Sequence, residues 1–294
     1  MSLDVSQLSD ASAGVVEAAS AGLVQIEGRC GSTTGSVWSA DGVIVATHHA
    51  VERDDVTVTL GDGRTLTATV AGRDPGTDVV VLKTDAKDLS ALAWSDGEGL
   101  KVGHFVLTLG RPGKSARATF GIVSALGEGF RTMSGATIDR YIEVDGTLPR
   151  GFSGGALVDF KGRALGMNTA ALVRGGVTIP VPTLRRVVGD LLTHGRIGRG
   201  YLGLSVYPAR LPQAVADKLG QATGLVAVGI EPGGPADTGG LLVGDIVVSI
   251  DGVATRRPGD LMSALEGKVR LSVTVKVLRG GELKDLAITT TLRE

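Results

Sequence analysis

With only one cysteine, Cys30, in 294 residues, the chain has no internal disulfide framework and no cluster of thiolates for a structural zinc. Aromatic residues make up just 3% of it. The formal net charge is −1, with basic residues scattered among acidic ones and no stripe of cations interleaved with aromatics, so nucleic-acid binding is not suggested. No stretch reaches the roughly 18 consecutive apolar residues of a membrane-spanning helix. The opening Met1-Ser2-Leu3-Asp4-Val5-Ser6-Gln7 lacks a positive region followed by an apolar one. As written, the chain is expected to be soluble, with a removed signal or anchor left open. A nucleotide loop of the Gly-x-x-x-x-Gly-Lys-Ser/Thr type is also missing, and no cofactor or metal is indicated.

What the chain has is glycine, 45 residues of it, and many short Val/Ile/Thr-rich runs between turn residues. That pattern predicts sheets with tight corners rather than long helices. The length suits two or three domains. After a weak Ala/Val helix over Ala11 to Ala21, strand-like runs begin at Leu23 and continue through Gly35–Trp38, Val43–Ala46, Val56–Leu60, Thr65–Ala71 and Val79–Lys83, with Gly61-Asp62-Gly63 at a hairpin turn. Six strands at this spacing predict a small closed barrel over 22–94. A second set runs through Phe105–Leu109, Ala116–Leu126, Tyr141–Val144, Ala156–Phe160, Ala164–Thr169 and Val177–Val181, predicting a second barrel of similar size over 100–181. An amphipathic helix over Pro182–Leu192, ending near Gly195, would close a domain spanning 22–197 behind an N-terminal segment 1–21. Gly198-Arg199-Gly200 then leads into a further unit, 198–294.

Gly151-Phe152-Ser153-Gly154-Gly155 is the most informative stretch. Small residues around one serine let its hydroxyl stand clear while backbone N–H groups converge, which is how a serine nucleophile and its oxyanion hole are built. Such a serine needs an imidazole and a carboxylate to orient it. Thr47-His48-His49 ends one buried strand, and Asp78 stands at the mouth of another, Val79-Val80-Val81-Leu82. Alone, each has a plainer reading: a glycine-flanked serine is usually a turn, His48 could be a solvated or capping histidine, and Asp78 a strand-start acid. Together, the order histidine, aspartate, serine is the one used on chymotrypsin-type barrels, and it puts the cleft between the two barrels. Asp74, just before Pro75, reads as a turn residue.

On these residues the chain resembles the HtrA family of serine proteases, also called the Deg family, over nearly its whole length. The family motifs Thr-Asn-x-His-Val, Asp-x-x-x-Asp-Ile-Ala and Gly-Asn-Ser-Gly-Gly-Ala-Leu correspond to Ala46-Thr47-His48-His49-Ala50, Asp74–Val80 and Gly151–Leu157. Tyr141–Asp145 and Gly166-Met167-Asn168-Thr169-Ala170 fit as well. The resemblance implies a mainly β fold, a chymotrypsin-like double β-barrel followed by a C-terminal PDZ domain. It implies ATP-independent endopeptidase activity on unfolded or misfolded chains. Ser153 would be the nucleophile, His49 rather than His48 the base, Asp78 its orienting acid, and the N–H groups of Gly151 and Ser153 the oxyanion hole. Val177 and Thr178 would line the primary specificity pocket, favouring a small or medium apolar residue before the scissile bond. Phe152 departs from the pattern, since it replaces both the family's asparagine and the aspartate that pairs with a freed N-terminus in zymogens. Activation by propeptide cleavage is therefore not expected; rearrangement of Thr147–Phe152 would build the oxyanion hole instead. The alternative is a catalytically inactive protease-fold scaffold or chaperone.

Gly239-Gly240-Leu241-Leu242-Val243-Gly244-Asp245-Ile246 resembles the PDZ signature Gly-Leu-x-x-Gly-Asp-x-Ile. Tyr201, Leu202, Gly203 and Leu204 resemble its carboxylate-binding loop, implying capture of peptide C-termini by strand addition. Leu261, Met262 and Leu265 would either floor the groove or serve only as core. The resemblance also implies a periplasmic or extracytoplasmic setting and a homotrimer, although the family's trimer contacts use N-terminal aromatics and none precedes Trp38 here.

Overall fold

Uninterrupted apolar runs such as Val43-Ile44-Val45-Ala46 and Val79-Val80-Val81-Leu82 suit strands covered on both faces. In the computed structural model, which describes residues 5–28, 31–132, 135–195 and 200–292, they are the most deeply buried strands of the first barrel. Cys30 and the Gly198-Arg199 step lie outside the described residues. The chain divides into two compact units, Met1–Met133 with Thr137–Arg196, and Ile197–Glu294 with Ser134–Ala136.

In the first unit, β1 (Leu23–Gly28), β2 (Gly31–Ser39), β3 (Val43–Thr47), β4 (Asp55–Thr59), β5 (Thr65–Asp74) and β6 (Val79–Lys83) close a barrel in the order β1-β2-β3-β6-β5-β4. Its interior is filled by Val24, Ile26, Ile44, Val58, Val80 and Leu82. A seven-stranded sheet follows, from β7 (Ala93–Trp94), β8 (Phe105–Gly110), β9 (Arg117–Arg131), β10 (Thr137–Val144), β11 (Ala156–Asp159), β12 (Arg163–Thr169) and β13 (Val177–Pro180). It curls until β10 and β13 pack together, giving the second barrel, but its hydrogen-bonded path runs β10-β9-β8-β11-β12-β13 without the ladder closure of the first. The two-residue β7, too short for any periodicity to show, pairs in parallel with β12.

Two helices complete the unit. α1 (Val5–Ser20) starts earlier than its weak Ala/Val pattern suggests and packs Val15, Val16 and Ala19 against Leu23, Leu107 and Leu109. α2 (Val181–His194) places Pro182 in its first turn, where the missing N–H costs nothing, and ends at Gly195 in the left-handed region, φ 72°. Its buried stripe is Leu184, Val187, Val188 and Leu191. Each such side chain contributes about 1.5–3 kcal/mol of gross burial energy. Truncating Leu191 to alanine would cost about 2–5 kcal/mol.

The second unit holds β14 (Gly200–Tyr201), β15 (Leu204–Arg210), α3 (Gln213–Leu219), β16 (Thr223–Ile230), α4 (Pro235–Thr238), β17 (Ile246–Ile250), β18 (Val253–Ala254), α5 (Pro258–Ala264), β19 (Ser272–Arg279), β20 (Glu282–Thr289) and β21 (Thr291–Leu292). The sheet runs β15-β16-β17-β19-β20, with β18 paired to β17 and a separate β14-β21 pair. Asp245, the acid of the glycine-rich signature, is buried and takes both Arg279 Nε, at 2.7 Å, and the Leu242 N–H, at 2.8 Å. Burial pushes its carboxyl up, but the Arg279 hydrogen bonds and the Leu242 N–H outweigh that and hold it below the ordinary range.

Candidate active site

Strand register brings His49 to Asp78. The antiparallel pairing of β3 with β6 ends at Thr47 opposite Val79, and the His48 N–H continues the ladder to the Asp78 carbonyl at 3.0 Å. A single 3-10 turn, His48–Ala50, then lifts His49 off the strand. Asp78 answers with both carboxylate oxygens: Oδ1 accepts the His49 N–H at 2.9 Å, and Oδ2 lies 2.8 Å from His49 Nδ1. The Thr169 hydroxyl donates to the same Oδ2. Asp78 has φ 60°, the left-handed region that aspartate tolerates better than most residues. The preceding turn fixes it there: Asp74 accepts from Gly76 N at 3.1 Å, Thr77 N at 3.2 Å and the Thr77 hydroxyl at 2.6 Å.

A hydrogen bond from Nδ1–H to a carboxylate leaves the lone pair on Nε2, the tautomer a general base needs. That bond favours the imidazolium and raises the His49 pKa, with the negative charge of Asp78 adding to it and partial burial opposing. His48 has its Nδ1 buried with no hydrogen-bond partner among the described residues.

Ser153 sits in the loop before β11. Gly151 and Gly154 hold φ of 83° and 85°, a region where a side chain is strained. The loop is also packed too tightly for a Cβ. One on Gly154 would lie 1.9 Å from the Thr34 carbonyl oxygen, and one on Gly155 2.0 Å from that of Leu109. The Phe152 N–H donates to the Pro149 carbonyl at 3.1 Å, Gly154 N to Asn168 O at 2.8 Å, and Gly155 N to Phe152 O at 2.9 Å. Among the described residues, the N–H groups of Gly151 and Ser153 have no acceptor. The Ser153 hydroxyl accepts from the Ala170 N–H at 3.3 Å, and no hydrogen bond joins it to His49. Ala170 follows Thr169, so the end of β12 touches both Asp78 and Ser153. Thr169 was visible only as part of a motif; its hydroxyl bond to Asp78 is a tertiary contact.

Val177 and Thr178, both buried, line a small cavity of about 40 Å³ together with Thr147, Leu148, Asn168 and Gly176. The Thr178 hydroxyl donates to Asn168 Oδ1 at 2.8 Å. Asp145, which no local signal in the sequence places near Val177, also lines this cavity, and its Oδ1 accepts the Ile122 N–H at 2.6 Å.

In the second unit, Tyr201 pairs with Thr291, Leu202 is buried in the core, Gly203 takes φ 70°, and Leu204 begins the edge strand β15. The Leu202 and Gly203 carbonyls accept from Ala236 N at 2.8 Å and Glu231 N at 2.9 Å, whereas their own N–H groups have no acceptor among the described residues. Tyr201, Glu231, Gly233, Thr291 and Leu292 border an open cavity of about 490 Å³. Leu261 and Leu265 belong to the core, while Met262 is exposed.

Among known proteins, a family model described as a trypsin-like peptidase domain matches residues 33–167, and one described as a PDZ domain matches residues 226–279. A curated relative from Halomonas elongata, named a probable periplasmic serine endoprotease DegP-like, is 35% identical over 266 residues, covering 87% of this chain and 55% of the relative. One of the same name from Pseudomonas putida is 33% identical over 264 residues, covering 87% and 55%. The chain spans about half the length of the curated relatives it matches. Among solved structures, the HtrA-type protease AlgW with tripeptide aligns at 30% identity with a TM-score of 0.73, over 96% of this chain and 97% of that one. A serine endoprotease from Yersinia pestis aligns at 26% identity and a TM-score of 0.74 over the whole of both chains. No helix among the described residues is long and apolar enough to cross a membrane.

Proposed function

Because the chain belongs to the HtrA family, which joins a trypsin-like protease to a PDZ domain, we propose that it is an ATP-independent serine endopeptidase of unfolded or misfolded proteins. Residues 22–197 would form the protease and 198–294 the PDZ domain, behind the segment 1–21. The observation that carries this reading is the bonded set His49–Asp78–Thr169, with Ser153 held by the N–H of the residue after Thr169.

In the reaction, Ser153 Oγ leaves the Ala170 N–H by rotation about χ1 and attacks a peptide carbonyl carbon, its proton passing to His49 Nε2. Asp78 keeps the imidazole in the right tautomer and balances the imidazolium. The carbonyl oxygen, now negative, takes the two unused N–H groups of Gly151 and Ser153. His49 then returns the proton to the departing amine, and water releases the acyl group by the same steps in reverse. Val177 and Thr178 floor the pocket for a small residue before the scissile bond, as its volume of about 40 Å³ suits.

Ser153→Ala should abolish turnover of unfolded casein; cleavage that persists would remove Ser153 from the mechanism. Labelling of Ser153 by a fluorophosphonate separates the enzyme from the inactive scaffold, which would leave the reagent unreacted.

In the PDZ domain, the free N–H groups of Leu202 and Gly203 would hold a peptide carboxylate while the peptide adds to β15, with Tyr201 and Leu204 flanking. The natural setting is extracytoplasmic protein quality control, as the relatives' periplasmic naming suggests. Self-association into a homotrimer would use a different aromatic patch from an N-terminal one. Phe105 and Phe120 are exposed and meet Phe160 at ring separations of 6.2 and 5.9 Å, forming an apolar surface on the second barrel. Sedimentation of Phe105→Ser at a smaller mass than the parent chain is the expected outcome.

A further inference from the structure

Strand β2 holds the backbone of the serine loop. Three carbonyls of that loop are held by hydroxyls from β2 of the other barrel. Thr34 Oγ1 donates to the Gly151 carbonyl at 2.7 Å, Thr33 Oγ1 to the Ser153 carbonyl at 2.9 Å, and Ser36 Oγ to the Gly154 carbonyl at 2.8 Å. The Thr34 N–H adds a fourth bond, to the Ser153 carbonyl at 3.3 Å. All three side chains are buried, Thr34 and Ser36 completely.

The unit joining Gly151 to Phe152 is fixed at its oxygen by Thr34 and at its N–H by the Pro149 carbonyl. The Phe152–Ser153 unit is fixed at its oxygen by the Gly155 N–H. The Ser153–Gly154 and Gly154–Gly155 units are fixed at both ends. The two N–H groups left over are those of Gly151 and Ser153, the pair an oxyanion would need.

Thr34 has a second bond that the other two hydroxyls lack. Its Oγ1 accepts the Arg111 N–H at 2.7 Å, so the hydroxyl proton is committed to Gly151 and cannot turn elsewhere. Arg111 is itself anchored: its guanidinium, buried with no carboxylate partner among the described residues, donates to the carbonyls of Ser20 and Leu23 at 2.9 Å and of Lys114 at 2.7 Å. Ser20 ends α1, where a helix presents its negative pole to a cation. On either side of Arg111, Pro112 lies where a Cβ on Gly151 would sit, 2.5 Å away, and the Phe152 ring lies 2.8 Å from where one on Gly110 would sit.

We propose that Thr34 is a positioning residue for the peptidase, holding Gly151 so that its N–H and that of Ser153 stay aimed at the reacting carbonyl. This rests on the serine-peptidase reading of Ser153. The brace runs from α1 through Arg111 and Thr34 to the Gly151 carbonyl, in place of the zymogen ion pair that Phe152 excludes, and it confines the rearrangement of Thr147–Phe152 expected from the sequence to the segment before that carbonyl.

The test is Thr34→Val, which keeps the shape and removes the hydroxyl, beside Thr34→Ser, which keeps the hydroxyl. On a short chromogenic peptide, Thr34→Val should lose about 10- to 100-fold in kcat with KM nearly unchanged, because a misaimed donor weakens only the charged transition state. Affinity for a peptide boronic acid, whose tetrahedral adduct needs the hole, should fall in parallel, and Thr34→Ser should restore most of both. Binding of the uncleaved peptide to a Thr34→Val, Ser153→Ala double variant should match that of Ser153→Ala alone. If Thr34→Val does not melt cooperatively, Thr34→Cys replaces it, with the same outcomes. Unchanged kcat and boronate affinity, or an equal loss of peptide binding in the double variant, would overturn the proposal. A Ser153→Ala enzyme that still cleaves would instead overturn the peptidase reading beneath it.

Discussion

The first barrel brings His49 and Asp78 together as neighbours on adjacent strand ends, whereas the second carries Ser153 on a loop that no ladder supports. In the first barrel the carboxylate meets the imidazole because Thr47 pairs with Val79, and one more step of the same register places the two side chains together. In the second, the carbonyls of Gly151 to Gly154 and the N–H groups of Phe152, Gly154 and Gly155 are held through the loop's own turns, through β12, and through hydroxyls contributed by β2, which leaves the Gly151 and Ser153 N–H groups over. A pair set by register tolerates changes in the surrounding loops. A loop set by tertiary hydrogen bonds depends on residues far away in sequence.

Substitutions on the two sides should separate these cases. Asp78→Asn leaves the register intact but favours the wrong imidazole tautomer, so kcat should drop by about ten thousandfold with the melting temperature little changed; a large loss of stability would show that the pair also holds the barrel. Gly154→Ala strikes the other side. The new methyl would lie 1.9 Å from the Thr34 carbonyl oxygen at a φ of 85°, so the loop must move, at a cost of about 3 kcal/mol or more. Denaturant unfolding should show the loss, and fluorophosphonate labelling should slow with it.

A pH profile probes the His49–Asp78 pair without touching the loop. Protonated His49 cannot accept the serine proton, and its hydrogen bond to Asp78 raises its pKa. The acidic limb of kcat/KM should therefore have its midpoint above the ordinary histidine value of about 6.5. In residual-activity measurements on Asp78→Asn the limb should move to lower pH, and an unmoved limb would assign it to another group. The same raised pKa means that His49 stabilises the fold most below its unfolded value, with that contribution lost as pH rises through the folded one. The smallest effect belongs to Ser36→Ala, which leaves the Gly154 carbonyl short of one donor. About 1–3 kcal/mol of stability should be lost, with kcat changed less than in Thr34→Val, because Gly154 presents no N–H to the oxyanion.

Much of this was legible in advance. Strand runs such as Val43–Ala46 and Val79–Lys83 follow from uninterrupted apolar character, and α2 from its proline start and glycine stop; order and context marked His49, Asp78 and Ser153 as candidates, of which strand register brings the first two together. Where the reading fell short, the cause was physical. β7 has two residues and no period to detect. The second sheet has the expected strands, yet its ladder stays open between β10 and β13, which composition does not reveal. Asp145 reaches the cavity near Val177 only because the strands fold back on each other.

The amino-acid order by itself determined the strand pattern, the motif residues and the glycines without which the Ser153 loop cannot pack, since these depend on local sterics and on the alternation of side chains across a sheet. Only the tertiary structure decided that Thr169 would bond Asp78, that Thr33, Thr34 and Ser36 would grip the carbonyls around Ser153, and that Arg111 would brace them from the end of α1. A hydroxyl or guanidinium bonds whichever acceptor folding brings within about 3 Å, and residues 91 or 120 positions apart carry no local signal of that meeting.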